Sequence, residues 1–408
     1  MKKGFKYLIL ILSIVCVLNN PVSHILGIDL NLLDEGILFM AIFLIFKYLL
    51  FKSKVKVLYF LLILFIFYSI IISIFFGLNK NIVEVVLQSL ISIKFFIVIV
   101  ALFLLFKDDL VLVSKMYNVL FSILLVGFFL NIIIGEAFTE FLGIKEYSRS
   151  QLNIIRYGGF VNPNHLGYFM VLSIGLLLNK AFTQNRLLLR KEWLTVGLYI
   201  FVILLTDSRS ALLGIFLFFM FFYKNLIIKK AEMLISFVII FLISLISLIY
   251  STDVLGTIVR NIEYSFSLES HYIRGILINM SVQIAYLYFP IGTGAATFGS
   301  IFSEGSKVYQ DFGVANTYFF MEKTGIYDSS LASWLGEYGF LGVLFLFSIF
   351  NFLSKYLIAF QKGSNSTMIN GLLLVFLFFS ITNPTFTNSV YIFLSFPIFF
   401  MFSHYKSE

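Results

Sequence analysis

The sequence predicts an all-α, polytopic integral membrane protein of about 12 transmembrane helices, with a large extracytoplasmic loop between spans 9 and 10. The chain of 408 residues is 60% hydrophobic, only 12% charged, and has a mean hydropathy of +0.99. A soluble domain typically carries about 25% charged residues. A soluble fold could not bury this much apolar surface, so the apolar segments are expected to face lipid and one another.

The spans are assigned to apolar runs that could cross the hydrocarbon core as helices. They are 5–22, 36–51, 55–77, 82–106, 110–134, 163–179, 193–207, 208–223, 233–250, 330–354, 368–383 and 388–403. Asp207-Ser208-Arg209 separates two of them, because one straight helix would place these charges at the bilayer centre. The first span resembles a signal peptide, but no small-residue cleavage site follows it, so we interpret it as uncleaved.

Lysine and arginine are sorted between the two sides of the predicted membrane. Short loops and the two termini together hold 17 of the 22 lysines and are predicted to be cytoplasmic. The net charge of +8 therefore indicates orientation and not a nucleic-acid partner. Five of the seven arginines fall on the external side: Arg149, Arg156, Arg209, Arg260 and Arg274. Guanidinium groups bind phosphate oxygens bidentately, so this grouping predicts an anionic ligand.

The whole chain, residues 1–408, is predicted to form a single membrane domain, since no internal repeat divides it. Its largest external segment, 251–329, is long enough to contain helical structure of its own. Within it, residues 272–288 have the apolar spacing of an amphipathic helix that lies on the membrane. The single cysteine, Cys16, excludes an intrachain disulfide and a cysteine metal cluster.

The first polar cluster, Arg156–His165, opens the span at 163–179. Asn164 and His165 place neutral hydrogen-bonding groups where a helix enters the bilayer. The glycine pair at 158–159 allows the backbone to approach a ligand closely. A plain helix start with a capping asparagine explains the cluster equally well, so both interpretations stay open.

Two further clusters lie on the same side. Thr206–Ser210 places Arg209 near the level of a lipid phosphate, although a hairpin tip with an internal Asp–Arg pair would need no ligand. Arg274 is followed by a loop that contains Gly292 and Gly294, a weak signal for phosphate binding that follows no strand and so does not indicate a dinucleotide site. The alternative for Arg274 is snorkelling towards lipid headgroups.

The fourth cluster, Asp328–Gly342, opens the span that follows the large loop. Asp328 falls where a helix is predicted to begin, so N-capping is its simplest role. Glu337 would lie two to three turns deeper, and a carboxylate inside the membrane is a candidate functional group. A salt bridge to an external arginine is the alternative for Glu337.

In their order, these motifs resemble the bacterial O-antigen polymerase and ligase superfamily. The similarity lies in R-x-x-G-F-x-N-P-N at Arg156–Asn164, T-x-S-R-S at Thr206–Ser210, Arg274 with P-x-G-x-G at Pro290–Gly294, and L-x-E-x-G-x-L-G at Leu335–Gly342. It covers about residues 150 to 350. The ligase branch carries a histidine just before the span that follows the large loop. Asp328-Ser329 stands there in this chain, which favours the polymerase branch.

The resemblance implies a bacterial cytoplasmic-membrane enzyme that uses undecaprenyl-diphosphate-linked oligosaccharides, with no metal or cofactor. A growing glycan would be transferred to the terminal hydroxyl of the next lipid-linked repeat unit. On this hypothesis Arg274 and Arg209 bind the leaving diphosphate, Arg156 holds the second lipid carrier and Asp328 is the base. Asn164, His165, Gly292, Gly294 and Glu337 are candidate substrate-binding residues.

Two other functions stay open at the level of sequence. The first is a ligase that moves finished polymer to another acceptor. The second is a flippase or other transporter of lipid-linked oligosaccharides, although transporters usually show internal repeats and midplane charges. A chain-length regulator and a flippase are candidate partner proteins, beside the lipid bilayer itself.

Overall fold

The computed structural model describes residues 3–28, 30–49, 56–144, 147–149, 154–184, 186, 188–229, 268, 272–360 and 366–404. Their helices are α1 (Lys3–Val17), α2 (Asn19–Leu26), α3 (Asn31–Leu49), α4 (Lys56–Phe75), α5 (Ile82–Ser92), α6 (Lys94–Phe106), α7 (Leu110–Ile134), α8 (Glu136–Phe141), α9 (Pro163–Thr183), α10 (Arg190–Thr206), α11 (Arg209–Lys229), α12 (Ile273–Leu287), α13 (Lys307–Asp311), α14 (Tyr318–Met321), α15 (Ser330–Phe360), α16 (Ser366–Thr382) and α17 (Ser389–His404).

Within the described residues, the regular structure is helical apart from one pair of short strands. Strands β1 (Tyr147–Arg149) and β2 (Ile154–Arg156) pair antiparallel, with Tyr147 opposite Arg156. This hairpin departs from the all-α prediction. The strands lie in a segment whose apolar residues do not recur at helical spacing. The second strand ends at Arg156, the first residue of the first polar cluster.

Helices that could cross a membrane are fewer than the sequence predicted. By length and composition, three described helices qualify: Val57–Phe75, Leu110–Ile134 and Ser330–Ala359. The number rises to five if α1 with α2, bent by 87°, and α5 with α6, bent by 53°, each form one span. Other apolar helices within the described residues have only 10–17 residues. The protein is therefore multi-pass, while twelve spans and the position of the large loop stay predictions. The predicted span 233–250 lies outside the described residues.

Helix α6 forms the centre of the bundle. Every residue from Lys94 to Phe106 is buried, as expected for a helix that is apolar on all sides. It packs against α3 and α17, and its phenylalanines contact rings from other helices. Phe95 stacks on Phe376 at 4.1 Å, and Phe96 meets Phe350 edge-on at 5.2 Å. The high phenylalanine content thus fills the interior between helices as well as the lipid-facing surface.

The chain breaks between α10 and α11 as predicted. Helix α10 ends with Asp207 in the left-handed conformation (φ 46°), and α11 begins at Arg209. Both helices pack against α9, which brings the polar residues of this turn beside the start of α9. Dividing the long apolar stretch at Asp207-Ser208-Arg209 was therefore correct.

The segment 272–329 folds against the first half of α15. The predicted helix at 272–288 is present as α12, which buries Ile273, Ile276, Leu277, Met280 and Ile284 on one face. A separate apolar cluster joins this face to Phe298, Tyr309 and Ala332. Because the apolar face of α12 packs on α15, its periodicity is explained by protein contacts. Its position on a membrane surface stays a prediction.

Helix α15 is interrupted at Gly339, where φ is 63° and ψ is −161°. A side chain there would collide with the backbone of Pro290 and Gly292. Gly292, also at positive φ (73°), would place a Cβ 2.6 Å from the carbonyl oxygen of Gly336. These two glycines let the loop that follows α12 lie directly on the kink of α15.

Candidate functional site

The candidate site lies where four segments of the chain meet. They are residues 154–165, residues 206–210, the start of α12 with the residues before α15, and the turn between α16 and α17. The first two segments form an Arg156 half, and the third forms an Arg274–Asp328 half. The fourth, residues 381–391, contacts both halves. Sequence reasoning named residues in the first three segments and missed the fourth.

Arg156 joins the first two predicted motifs. Its Nε donates to the carbonyl oxygen of Thr206 at 3.1 Å, and its Nη2 donates to Oδ1 of Asn164 at 2.7 Å. The backbone N–H of Tyr157 donates to Leu205 at 3.2 Å. Arg156, Asn164 and the turn that leads to Arg209 therefore share one edge of the protein.

The start of α9 is a capped helix start. Asn162 Oδ1 accepts from the N–H of Asn164 at 2.9 Å, and Pro163 is the first helical residue. The glycine pair packs against α7, where the N–H groups of Gly158 and Gly159 both donate to Asn131 Oδ1 at 3.2 Å, and it also lines a cavity beside Arg156 and Tyr157. The capping interpretation is therefore confirmed, while Arg156 and Asn164 are placed together beside it.

Arg274 and Asp328 form an ion pair across 54 residues of sequence. The Nε and Nη2 atoms of Arg274 donate to the same oxygen, Asp328 Oδ2, at 3.3 and 3.1 Å. Burial lowers the pKa of Arg274, but the charge of Asp328 and the neighbouring Tyr272 raise it, and the net shift is upward. The two side chains are only 21% and 33% exposed. The pair is thus partly shielded from water and open on one side.

Asp328 is not the N-cap of α15. The helix begins at Ser330, and the hydroxyl of Ser329 accepts from the N–H of Ala332 at 3.2 Å, as a capping side chain does. The capping role considered for Asp328 is therefore wrong, because Ser329 fills it and Arg274 holds the carboxylate. Within the described residues, Asp328 Oδ1 has no hydrogen-bond partner, so this oxygen can accept a proton or a hydrogen bond from a ligand.

The turn between α16 and α17 connects to the start of α15. The Ser329 hydroxyl donates to the carbonyl of Ile381 at 2.6 Å, and the Ser330 hydroxyl accepts from the N–H of Phe386 at 3.1 Å. The N–H of Ser330 donates to the carbonyl of Asn383 at 3.3 Å. These contacts fix the backbone that carries Asp328.

Tyr391 lies between the two halves of the site. Its hydroxyl donates to Asn383 Oδ1 at 2.9 Å, and its ring meets the His165 ring edge-on at 4.5 Å. Its ring thus contacts the Arg156 half, and its hydroxyl contacts the turn that supports Asp328. Tyr391 was missed because it stands in an apolar run, but the polar stretch Asn383–Asn388 between two spans was a signal that could have pointed to this turn.

Arg209 is more accessible than Arg156 and Arg274. It is exposed at the first position of α11 and, within the part of the chain that the structure describes, makes no hydrogen bond or ion pair. Its neighbour Ser208 is buried, with its hydroxyl 3.3 Å from that of Ser210. Of the other two external arginines, Arg149 lies in β1 and Arg260 lies outside the described residues.

The loop with Gly292 and Gly294 uses its backbone donors within the protein. The N–H of Thr293 donates to Gly336 at 3.0 Å, and that of Gly294 donates to Glu337 at 2.8 Å. The N–H of Gly292 donates to Tyr288 at 3.0 Å. A phosphate would have to compete with these carbonyl groups, so the geometry favours a packing role, and substrate binding by this loop stays a prediction.

Glu337 is fully buried beside the same loop. Its carboxylate accepts from Gln88 Nε2 at 3.2 Å and from the N–H of Thr297 at 3.1 Å. No arginine takes part in these contacts, so the salt bridge proposed for Glu337 is not what holds it. The carboxylate links α5, α15 and the loop, and a direct contact with substrate stays a prediction.

Comparison with known families matches part of the chain. Residues 194–347 match the family model described as O-antigen ligase (Wzy_C), a stretch that includes Arg209, Arg274, Asp328 and Glu337. No curated protein matches the chain. Within the described residues, no three His, Cys, Asp or Glu side chains are grouped so that they could hold a metal ion. The match at 194–347 covers less than half of the chain, and over that stretch this multi-pass membrane protein is similar to the O-antigen ligase family.

Proposed function

We propose that the protein is a polysaccharide repeat-unit polymerase of the bacterial cytoplasmic membrane. It would transfer a growing glycan from undecaprenyl diphosphate to the terminal hydroxyl of a lipid-linked repeat unit at the outer face. The observation that carries this proposal is the Arg274–Asp328 pair, in which a cation and a carboxylate with one open oxygen lie side by side.

The reaction needs two groups of this kind next to each other. The acceptor hydroxyl oxygen forms a bond to the anomeric carbon while the bond from that carbon to the diphosphate oxygen breaks. The diphosphate leaves with the electron pair, and the hydroxyl proton passes to Asp328 Oδ1. Arg274 stabilises the negative charge that develops on the diphosphate, as preorganised donors do in other transfer reactions.

The pairing also orients the base. Because Oδ2 accepts both donors from Arg274, the carboxylate cannot rotate freely, and Oδ1 is held in one direction. Arg209 is exposed and therefore able to move towards the phosphates, whereas Arg156 is fixed by Thr206 and Asn164. We assign Arg209 to the leaving diphosphate and Arg156 to the second carrier.

Ligation is the second candidate function, and the description of the matching family as O-antigen ligase favours it. A ligase would transfer a finished polymer to a different acceptor by the same bond changes. The two functions differ in what accumulates when the protein is lost. Without a polymerase, cells hold single lipid-linked repeat units; without a ligase, they hold long polymer on the lipid carrier.

The test is therefore gel analysis of glycans from cells in which the gene is deleted. Polymerisation would be supported if the deletion strain holds single repeat units and the wild-type gene restores long polymer. Long lipid-linked polymer in the deletion strain would support ligation instead. Complementation with Arg274→Ala should fail. Arg186→Ala is the matched control, because Arg186 also forms an arginine–carboxylate pair, with Glu192 at 2.6 Å, at the opposite end of α10 from Thr206.

A further inference from the structure

Tyr391 is the residue through which the two halves of the site are connected. On one side, its ring contacts His165, whose neighbour Asn164 accepts from Arg156. On the other side, its hydroxyl donates to Asn383, whose carbonyl receives the N–H of Ser330, two residues after Asp328. A continuous set of contacts therefore runs from Arg156 through Tyr391 to the Arg274–Asp328 pair.

The groups that form this connection are buried and held by hydrogen bonds. Tyr391 is 1% exposed and Asn383 is 1% exposed, so neither group can exchange its partner for water. A buried hydroxyl without a partner is costly, which keeps the Tyr391–Asn383 hydrogen bond in place. Asn383 is itself fixed, since its Nδ2 donates to the carbonyl of Phe379 at 3.1 Å. The spacing of the two halves thus depends on a small number of rigid contacts.

We propose that Tyr391, held by Asn383, is a positioning residue that sets the separation between Arg156 and the Arg274–Asp328 pair. This inference rests on the proposed function, in which these arginines hold two different lipid diphosphates. The acceptor hydroxyl reaches the anomeric carbon only if both carriers are bound at the correct separation. Tyr391 contacts neither carrier and acts through the residues that do.

The chain offers a matched control for this role. Tyr168 is also fully buried, its ring lies 5.0 Å from that of Tyr391, and its hydroxyl is 2.5 Å from the hydroxyl of Ser395. Ser395 stands one helical turn after Tyr391 on α17, outside the turn that carries Asn383. Tyr168→Phe and Tyr391→Phe therefore each remove one buried hydroxyl, but only the second disconnects the two halves of the site.

The experiment uses the full-length protein in lipid nanodiscs with lipid-linked repeat units extracted from cells that lack the gene. Release of undecaprenyl diphosphate gives kcat and KM, and a gel of the products gives chain length. Misplacement of reacting groups by about 1 Å can cost on the order of 10²-fold, so we expect Tyr391→Phe to lower kcat by about 10- to 100-fold with little change in KM. Tyr168→Phe should keep kcat within about twofold of the wild type.

Asn383→Ala is the second variant, and it should show the same loss of kcat as Tyr391→Phe. The double variant should be little worse than either single one, because both remove the same connection. Equal kcat values for Tyr391→Phe and Tyr168→Phe would overturn the inference, as would a change confined to KM. Diphosphate release by the wild type without chain extension would instead overturn the polymerase proposal, since release is common to polymerisation and ligation.

Discussion

Arg274 binds Asp328 through two nitrogen atoms that donate to a single carboxylate oxygen, Oδ2, at 3.3 and 3.1 Å. An arginine that only neutralised a carboxylate would more often use two parallel bonds to both oxygens. The observed arrangement leaves Oδ1 without a hydrogen-bond partner among the described residues. The same contact therefore fixes the cation and orients the carboxylate, and the roles of the two residues can be separated by mutation.

Arg274→Ala should lower the rate of transfer by about 10²- to 10³-fold, because a fixed donor to the leaving group is lost. Arg274→Lys keeps the charge but not the fork, so it should recover only part of this rate. The measurement is diphosphate release in nanodiscs at equal protein amounts. Arg186→Ala and Arg186→Lys are the controls, and losses as large as those of the Arg274 variants would show that the effect is structural.

Asp328→Asn should abolish transfer while the protein still folds. Asparagine can accept a hydrogen bond from Arg274 but cannot take a proton from the acceptor hydroxyl. Ser329, and not Asp328, caps α15, so the helix start is preserved. Full activity in Asp328→Asn would exclude the base role, and Glu192→Gln provides the control for loss of a carboxylate that pairs with an arginine.

In contrast to Asp328→Asn, Ser329→Ala should lower the stability of the protein. It removes the capping hydroxyl of α15 and should cost about 1 kcal/mol in the free energy of unfolding. It also removes the hydrogen bond to Ile381, so the turn beside Asn383 should loosen. Thermal unfolding followed by size-exclusion chromatography in detergent measures the first effect. A wild-type melting temperature would contradict the capping assignment.

Gly339→Ala should prevent stable folding, because a methyl group at this position of positive φ meets the backbone of Pro290 and Gly292. We expect a cost above about 3 kcal/mol, since strain and collision add. Gly197→Ala is the control: Gly197 lies within α10, and a Cβ there meets nothing within 4 Å. Equal amounts of folded protein for both variants would show that the loop does not press on the kink.

Glu337→Gln tests whether the buried carboxylate is structural. The carboxylate oxygens of Glu337 accept hydrogen bonds from Gln88 Nε2 and from the N–H of Thr297. In Glu337→Gln, the amide NH₂ would face one of these two donors, and that donor would lose its acceptor. The cost should be about 1–3 kcal/mol in stability. Transfer per folded molecule should stay unchanged if Glu337 only supports the loop. A fall in kcat at wild-type stability would restore the prediction that it contacts substrate.

The sequence predicted the helical class, the break at Asp207 and the helix 272–288 because apolar periodicity and charge mark them directly. It also assigned Arg274 and Asp328 to the same reaction, although in two separate clusters and not in contact. The hairpin at 147–156 was missed because three-residue strands leave little pattern. The sequence did not show that Gly158 and Gly292 pack closely against other parts of the chain, since a glycine that allows close approach to another helix has the same sequence signal as one that allows approach to a ligand.

Tyr391 and Asn383 could not be found in the same way. Their importance comes from tertiary contacts between segments that are far apart in sequence, such as His165 with Tyr391 and Ser330 with Asn383. A tyrosine in an apolar run gives no local indication of which charges surround it. Only the fold shows that the turn between α16 and α17 is part of the site to which the earlier motifs belong.

The buried helix α6 has a consequence for the environment in which the site works. The N–H of Phe95, near the start of this helix, donates to the carbonyl of Phe386 at 3.1 Å, and Phe386 belongs to the turn that holds Tyr391. Peripheral helices tilt when bilayer thickness changes. A turn anchored to a helix without lipid contact is insulated from such tilting, so the spacing of the charged groups is expected to stay the same in thin and thick membranes.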